Sequence, residues 1–302
     1  MSTPLPFKTT MDFTYGEPRQ LAPGISRIVA ENPSPFTYKG TNSYLIGTQK
    51  LALLDPGPAD ERHLAAILKA AAGRPITHIV ITHTHRDHVD GLPAALQATG
   101  AKTAGYGAFP RAIRIQPSDA NASERIDLTF KPDIVLRDGD RLAVNDMTLI
   151  AVHTPGHTPD HLAFAVEGTG VLFSGDHVMA WNTSIVAPPE GRMGDYMRSL
   201  EKLLARDDRL YLPGHGGQLD NPQRLVKAYL LHRRMREQAI LNCIREGGQT
   251  IGSIVPRLYK GLDERLIPAA SLSVESHVVH LSEQGLARYE APLSPATVLV
   301  AV

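Results

Sequence analysis

The chain has 302 residues, of which 42% are hydrophobic and 21% are charged, and its 31 lysines and arginines equal its 31 aspartates and glutamates. A chain of this length can bury a full core as one large domain, alone or with a small appendage, and its composition is that of a soluble globular protein. The balanced charge excludes a chain-wide attraction to nucleic acid or to an acidic membrane, although a local basic face is compatible with it.

Strand and helix patterns alternate along the first half of the chain. The predicted strands cover residues 40–47, 50–58, 76–81 and 101–107, and the predicted helices cover residues 59–73 and 92–100. Residues 108–131 are polar, contain prolines and show only weak periodicity. We predict that this insertion forms a lid or a rim.

The second half is richer in strands. Strand patterns cover residues 133–154, 162–176 and 209–217, and residues 194–206 predict a helix. Asp138-Gly139 is typical of a hairpin turn. Strands paired in hairpins, with helices between groups of them, predict an α+β fold in which two sheets lie between outer helices, an αββα sandwich.

The chain changes character near Pro222. Leu231, Met235, Ala239 and Cys243 repeat at intervals of four, which predicts an amphipathic helix with Cys243 buried in it. Further helices around residues 250–259 and 274–281 precede two extended segments. We therefore predict a catalytic domain over residues 1–221 and a small winged-helix-like module over residues 222–302.

The compartment is indicated by two weak signals. The single cysteine excludes an internal disulfide and gives no sign of an oxidising compartment. Residues 1–16 lack the apolar core of a secretory signal, and no run approaches the ~18 apolar residues of a membrane span. We expect a cytoplasmic protein with no membrane partner.

The stretch THTHRDHVDG, residues 82–91, crowds three histidines and two aspartates into ten positions directly after a buried strand. In a locally extended loop, residues two apart point the same way, so His83 and His85 can bind one cation together. Asp87 and His88 then turn toward a second position. Imidazole nitrogen and carboxylate oxygen suit Zn²⁺ or a similar transition metal.

Further ligands are needed from elsewhere in the chain. Three other segments each follow an apolar strand and lie at a turn that contains glycine, so they can gather at the same sheet edge. These segments are HTPGHTPDH (153–161), FSGDH (173–177) and LPGHGG (212–217). In the first of them, His153 and His157 are both candidates on spacing alone.

The order of these motifs resembles the metallo-β-lactamase superfamily, whose members carry an aspartate after an early strand, the His-x-His-x-Asp-His loop, and then a histidine, an aspartate and a final histidine. The resemblance implies that His83, His85 and His157 hold one metal, that Asp87, His88 and His215 hold a second, and that Asp176 bridges them. It also implies that Asp55 holds the metal loops through hydrogen bonds, and that His153 and His161 are hydrogen-bonding partners of the ligands or structural residues.

Two adjacent metals imply hydrolysis by a bridging hydroxide, with Asp87 as the catalytic residue that orients the hydroxide or relays its proton. The implied cofactor is two Zn²⁺ per chain, with Mn²⁺ or Fe²⁺ as alternatives. An iron-dependent oxidoreductase on the same fold is a distant alternative function. A dedicated β-lactamase is disfavoured, because the zinc enzymes of that class generally lack the bridging aspartate.

Nearly the whole chain resembles the β-lactamase-like protein 2 branch, which is related to glyoxalase II. This branch implies two kinds of partner. The first is a small acyl substrate (an ester, a thioester, a lactone or, weakly, a β-lactam), with Thr183, Ser184 and Tyr196 as candidate pocket residues. The second is single-stranded RNA, cleaved by an endoribonuclease. The basic run of residues 222–245 supplies its candidate contacts, Arg233, Arg234 and Arg236, although such runs are usually solvated helix faces. The sequence is also compatible with a homodimer.

Overall fold

The computed structural model describes residues 5–107, 126–247, 249–290 and 292–302. Most of the predicted insertion over residues 108–131 therefore lies outside the described residues. Within these ranges the chain forms two large sheets and one small sheet.

The first sheet has seven strands among the described residues, arranged in chain order from edge to edge. They are β1 (Arg19–Ala22), β2 (Ile25–Val29), β3 (Asn42–Ile46), β4 (Leu51–Leu54), β5 (Ile76–Val80), β6 (Lys102–Gly105) and β7 (Ile134–Val135). Strands β1 to β4 pair antiparallel, and β4 to β7 pair parallel. The carboxyl ends of β4, β5 and β6 therefore meet at one edge of the sheet.

The second sheet has six strands in the described part of the chain, in the order β13-β12-β11-β10-β9-β8. They are β8 (Arg141–Val144), β9 (Met147–His153), β10 (Leu162–Val166), β11 (Val171–Gly175), β12 (Leu210–Pro213) and β13 (Leu219–Asp220). Only the β11–β12 pair among these is parallel. Strands β11 and β12 therefore end at the same edge.

The predicted hairpin turn at Asp138-Gly139 is wrong. Strand β7 belongs to the first sheet and β8 to the second, so this turn carries the chain from one sheet to the other. The β8–β9 hairpin instead turns at Asn145-Asp146, where Asn145 takes a positive φ of 51°. Asparagine tolerates this left-handed conformation better than most residues do.

Outer helices cover both sheets and complete the predicted αββα sandwich. Helices α1 (Glu61–Ala71), α2 (Arg86–Val89) and α3 (Leu92–Thr99) lie on the first sheet, and α4 (Met193–Leu204) lies on the second. Asp60 caps α1 by accepting a hydrogen bond from the Arg62 amide at 2.8 Å. The fold prediction is confirmed.

The core between the sheets follows from strand alternation. On β3, Tyr44 and Ile46 point inward to the sandwich, whereas Leu45 points outward to the helices. The ring of Tyr44 packs edge-on against Phe173 with a 5.0 Å centroid separation. Phe164, on the neighbouring strand, is fully buried in the same cluster.

The C-terminal part contains three helices and a small sheet within the described residues. The helices are α5 (Gln223–Arg245), α6 (Ile251–Leu258) and α7 (Ile267–Glu283), with a short 3-10 helix (Glu264–Leu266) before α7. The strands are β14 (Gln249–Thr250), β15 (Ala287–Tyr289) and β16 (Val298–Ala301), in the order β14-β16-β15. This arrangement confirms the predicted winged-helix-like module.

Helix α5 packs against both parts of the chain. Near its start, Val226 and Tyr229 join the cluster on the outer face of the second sheet, and near its end Ile240 and Ile244 join the core of the C-terminal module. The boundary between residues 221 and 222 stays a prediction. No helix among the described residues is long and apolar enough to cross a membrane.

The predicted apolar stripe of α5 is partly wrong. Cys243 is buried as predicted, but the side chains of Leu231 and Met235 are 57% and 45% exposed. The face that packs inward carries Arg233, which is only 5% exposed, and the partly buried Glu237. Because these two charged residues are bound by neighbouring groups, an apolar pattern alone selects the wrong face.

We expect Phe164→Ala to lower the free energy of unfolding by about 3–5 kcal/mol, because it opens a cavity between the two sheets. Phe36→Ala is the matched control, since the ring of Phe36 is 60% exposed. Urea denaturation of both variants measures the difference. Equal losses for the two substitutions would contradict the assignment of Phe164 to the core.

Candidate metal centre

The predicted ligand residues gather where strands of the two sheets end. His83 and His85 lie in the loop after β5, and Asp87 and His88 lie on the short helix α2. His157 lies in the turn between β9 and β10, Asp176 directly follows β11, and His215 follows β12. The loops of two facing sheets thus bring together all seven residues.

Three imidazole nitrogens form the first group. His83 Nε2 and His157 Nε2 lie 3.1 and 3.0 Å from the same atom, Nδ1 of His85. Nitrogens bound to one zinc ion at about 2.0–2.1 Å lie little more than about 3 Å apart. These three residues could therefore hold one metal ion.

The second group is formed by Asp87, His88 and His215. Nε2 of His215 lies 3.1 Å from Asp87 Oδ2 and 3.3 Å from His88 Nε2. Asp176 lies between these two groups, and with His83 and His88 it forms a third possible group that overlaps both. Its Oδ2 is 3.2 Å from His215 Nε2 and 3.8 Å from His157 Nε2, so one carboxylate approaches both.

The electrostatics of the first group favour neutral imidazoles. Burial lowers the pKa of His83 well below its usual value, and the neighbouring histidines lower it further. Burial and the nearby His157 likewise lower the pKa of His85 to about 3. A neutral imidazole has a free lone pair, which is the form that binds a metal.

The second group concentrates negative charge. Burial lowers the pKa of His215, but the carboxylates of Asp176 and Asp87 outweigh it and raise the pKa to about 9. Although burial opposes it, His215 and His88 hold the pKa of the Asp176 carboxyl well below its usual range. Protonated His215 supplies part of the positive charge that the two carboxylates require, and a divalent cation that displaced this proton would supply it instead.

Two further observations fit a metal ion. Oδ1 of Asp176 is buried and has no hydrogen-bond partner among the described residues. Gly214 lies so close that a Cβ there would overlap Asp176 Oδ1 and crowd the ring of His88. Glycine at position 214 therefore leaves room around the Asp176 carboxylate. The nitrogen and oxygen donors of the seven residues are of the types that Zn²⁺ prefers.

Hydrogen bonds fix the orientation of the ligand-type side chains. Asp55 accepts from the amide and hydroxyl of Thr82 at 2.8 and 2.7 Å, and it lies 2.9 Å from His88 Nδ1. His161 accepts from the backbone amide of Asp176 at 3.1 Å. Both residues thus position the site through hydrogen bonds, with Asp55 orienting His88.

Other predicted residues lie away from the metal-binding atoms. Nε2 of His153 lies 2.9 Å from the carbonyl of Pro159, and its ring stacks on Tyr106, so His157 is the histidine of this segment that joins the centre. Ser184 and Tyr196 are buried, and both hydroxyls donate to the carbonyl of His177.

The three arginines of the RNA prediction are bound to the chain itself. Arg233 is 5% exposed and donates to the carbonyl of Ser184 at 2.6 Å. Arg234 pairs with Glu201 at 2.5 Å. Arg236 stacks over the Tyr259 ring at 4.2 Å and donates to the carbonyl of Leu258. Arg233 therefore does not face solvent, which argues against its predicted contact with RNA.

Sequence reasoning missed several partners of the site. The carbonyls of Gly40 and Ile185 lie 3.2 and 2.6 Å from Nδ1 of His215 and His157, respectively. Asp160 is buried and accepts from the amide of Thr84, between His83 and His85. A sequence does not show which backbone carbonyls will lie near a site. Asp160, however, lies in HTPGHTPDH, a segment already selected for its histidines, and could have been named as a candidate.

Comparison with known proteins places this geometry in a family. A model described as "Metallo-beta-lactamase superfamily" matches residues 37–215, which contain all seven residues of the centre. The chain belongs to the metallo-β-lactamase superfamily. A second model, "Beta-lactamase associated winged helix domain", matches residues 250–292.

Relatives within the superfamily cover most of the chain. "Beta-lactamase-like protein 2 homolog" from Drosophila melanogaster is 32% identical over 280 residues, which is 89% of this chain and 91% of that protein. "Atrochrysone carboxyl ACP thioesterase" from Claviceps purpurea is 28% identical over 81% of this chain and 75% of that protein. The predicted resemblance to the β-lactamase-like protein 2 branch is confirmed.

A solved structure has the same overall fold as this chain. The crystal structure of a β-lactamase domain protein from Burkholderia ambifaria superposes with a TM-score of 0.79 at 20% identity, over 96% of both chains. This likeness spans the sandwich and the C-terminal module, and it concerns the fold alone.

We expect Gly156→Ala to destabilise the turn that carries His157. Gly156 has a φ of 135°, and a Cβ there would overlap the backbone of Tyr196 at the start of α4. Gly168→Ala is the matched control, since Gly168 also has a positive φ of 74° but has no atom within 4 Å of an added Cβ. Gly168→Ala should cost about 1 kcal/mol and Gly156→Ala clearly more. Equal shifts in Tm would contradict this packing.

Proposed function

We propose that the chain is a metal-dependent hydrolase that cleaves small acyl substrates, with thioesters as the first class to test. The observation that carries the proposal is the meeting of two groups of ligand-type atoms at the single buried carboxylate of Asp176. Such a pair of adjacent sites is the arrangement that two-metal hydrolases use.

The donor set supports two Zn²⁺ per chain. It consists of imidazole nitrogens and carboxylate oxygens, and the chain's single cysteine lies in the core of the C-terminal module. Mn²⁺ and Fe²⁺ bind the same types of donor atom, so the native metal has to be identified by measuring the metal content of the protein. Bound metals of this kind lower the pKa of a water molecule and polarise the bond under attack.

The residues of the chain would then position the reactants and move the proton. The side chain of Asp87 is 29% exposed, whereas those of Asp176 and His215 are 9% and 1% exposed. Asp87 is thus the carboxylate that water and substrate can reach. We assign it the role of orienting the attacking water and accepting its proton, with the hydroxyl of Thr41 3.4 Å from its Oδ2.

A small acyl substrate fits the surroundings of the centre. Ile185, whose carbonyl lies beside His157 Nδ1, exposes 40% of its surface and offers an apolar contact for an acyl chain. The Claviceps relative is named a thioesterase. Thr183, Ser184 and Tyr196 stay candidates for the pocket, although the burial of Ser184 and Tyr196 favours roles in holding the loop.

The endoribonuclease alternative gains no support from the described contacts. Arg233 is buried, and the exposed Arg234 and the partly buried Arg236 are engaged by Glu201 and Tyr259, so the three arginines do not together face solvent. The iron-dependent oxidoreductase and the homodimer stay predictions.

Metal content gives the first test. We expect the wild-type protein to bind about two divalent ions per chain, His85→Ala and His215→Ala to retain about one each, and Asp176→Ala to retain less than one. His153→Ala should still bind about two, because His153 lies outside both groups. Elemental analysis after zinc loading and dialysis measures the ratios. Unchanged content in all variants would contradict the ligand assignment, and a purified protein rich in iron would favour the oxidoreductase.

Activity gives the second test. We expect Asp87→Asn to lower kcat on a short-chain acyl thioester by about 10²–10⁴-fold, because the amide cannot accept the proton of the attacking water. Release of the free thiol, followed with a thiol-reactive dye, measures the rate. Each rate is referred to the metal content, and His153→Asn is the control. End-labelled single-stranded RNA is assayed in parallel. RNA cleavage that vanishes in Asp87→Asn, without thioester cleavage, would overturn the substrate class.

A further inference from the structure

A cavity lies beside β1 and β2 and is lined in part by the N-terminal segment. Its volume is about 480 Å³. Its walls include the charged residues Lys8, Asp12, Arg19 and Arg27, together with Gly217 and Gln218. None of these residues belongs to the two metal-binding groups, although Gly217 and Gln218 follow His215 closely in the chain.

Arg27 is the unusual residue of this cavity. It lies on β2 and is only 2% exposed. Nη2 donates to the backbone carbonyl of Asp12 at 2.8 Å, whereas Nε is buried and has no hydrogen-bond partner among the described residues. A buried cation without an anionic partner is costly, and the cavity beside this guanidinium has room for an anion that would pair with it.

The Asp12 carboxylate acts on Arg27 through space, but no carboxylate among the described residues meets its guanidinium directly. In the described part of the chain, no carboxylate forms an ion pair with Arg27. The carboxylate of Asp12 lies 2.6 Å from Arg19 instead, and its side chain is 75% exposed. Lys8 lies 3.4 Å from Asp220 and remains 44% exposed. The wall thus carries three cations and one acid.

We infer that this cavity binds a small anion through a carboxylate or phosphate group, with Arg27 as its buried anchor. A guanidinium presents a planar set of N–H donors that match two oxygens of such a group, and Nε–H is the free donor here. Arg19 and Lys8 lie on the same wall, and the positive charge that they add is partly offset by their pairing with Asp12 and Asp220. This site is separate from the metal centre, and it stands whether or not the proposed hydrolysis is confirmed.

Anion binding is tested by titrating inorganic phosphate, and separately acetate, into the zinc-loaded protein by calorimetry. We expect Arg27→Gln to weaken the binding of at least one of the two anions by at least tenfold, and Lys8→Gln/Arg19→Gln to weaken it severalfold. Arg62→Gln removes an equal charge from a side chain that is 76% exposed on α1 and should leave binding unchanged. Binding of neither anion by the wild type, or equal binding by the wild type and both cavity variants, overturns the inference. If the wild type and both cavity variants bind phosphate equally, phosphate binds at the metal ions and not in the cavity.

A second readout covers the case in which Arg27→Gln fails to fold. The ¹H–¹⁵N resonance of Arg27 Nε–H, assigned by its loss in Arg27→Lys, should shift as the bound anion is added to the wild-type protein. The resonance of His85 reports on the metal centre in the same spectra. If the His85 signal moves while the Arg27 signal stays in place, the anion binds at the metal centre and the proposed site at Arg27 is wrong.

Discussion

The arrangement of the molecule depends on the buried carboxylate of Asp176. It approaches His157 on one side and His215 on the other, in a place where a Cβ on Gly214 would overlap it. Burying an anion among imidazoles is favourable only when positive charge is supplied, by protons or by metal ions. The two sheets, whose strands end at this point, hold the side chains together against that electrostatic cost.

The layers of the fold and the clustering of the ligand-type side chains could be predicted because their signals are largely local. Strand alternation places Tyr44 and Ile46 in the core, and the spacing of His83, His85, Asp87 and His88 is set within one loop and one helical turn. His157, by contrast, could be separated from His153 only through the family resemblance. In the structure the distinction is physical, since His153 stacks on Tyr106 and bonds a carbonyl of its own turn.

What could not be predicted depends on contacts between distant segments. The carbonyl of Gly40 lies beside His215, and the carbonyl of Ile185 beside His157, yet any residue type supplies a carbonyl. The burial of Arg233 on α5 could not be predicted for a related reason. An arginine among other arginines suggests a solvated face, but the partners that bury Arg233 come from a loop about 50 residues earlier.

Arg233 also gives the C-terminal module a connection to the metal centre. Its guanidinium holds the carbonyl of Ser184, and the next residue, Ile185, supplies the carbonyl beside His157 Nδ1. The hydroxyl of Ser184 in turn donates to the carbonyl of His177, directly after Asp176. Helix α5 therefore holds, through one buried side chain, the loop that orients His157 and follows Asp176. The same helix ends in the core of the C-terminal module, so one continuous helix contacts both that core and the loop beside the candidate metal centre.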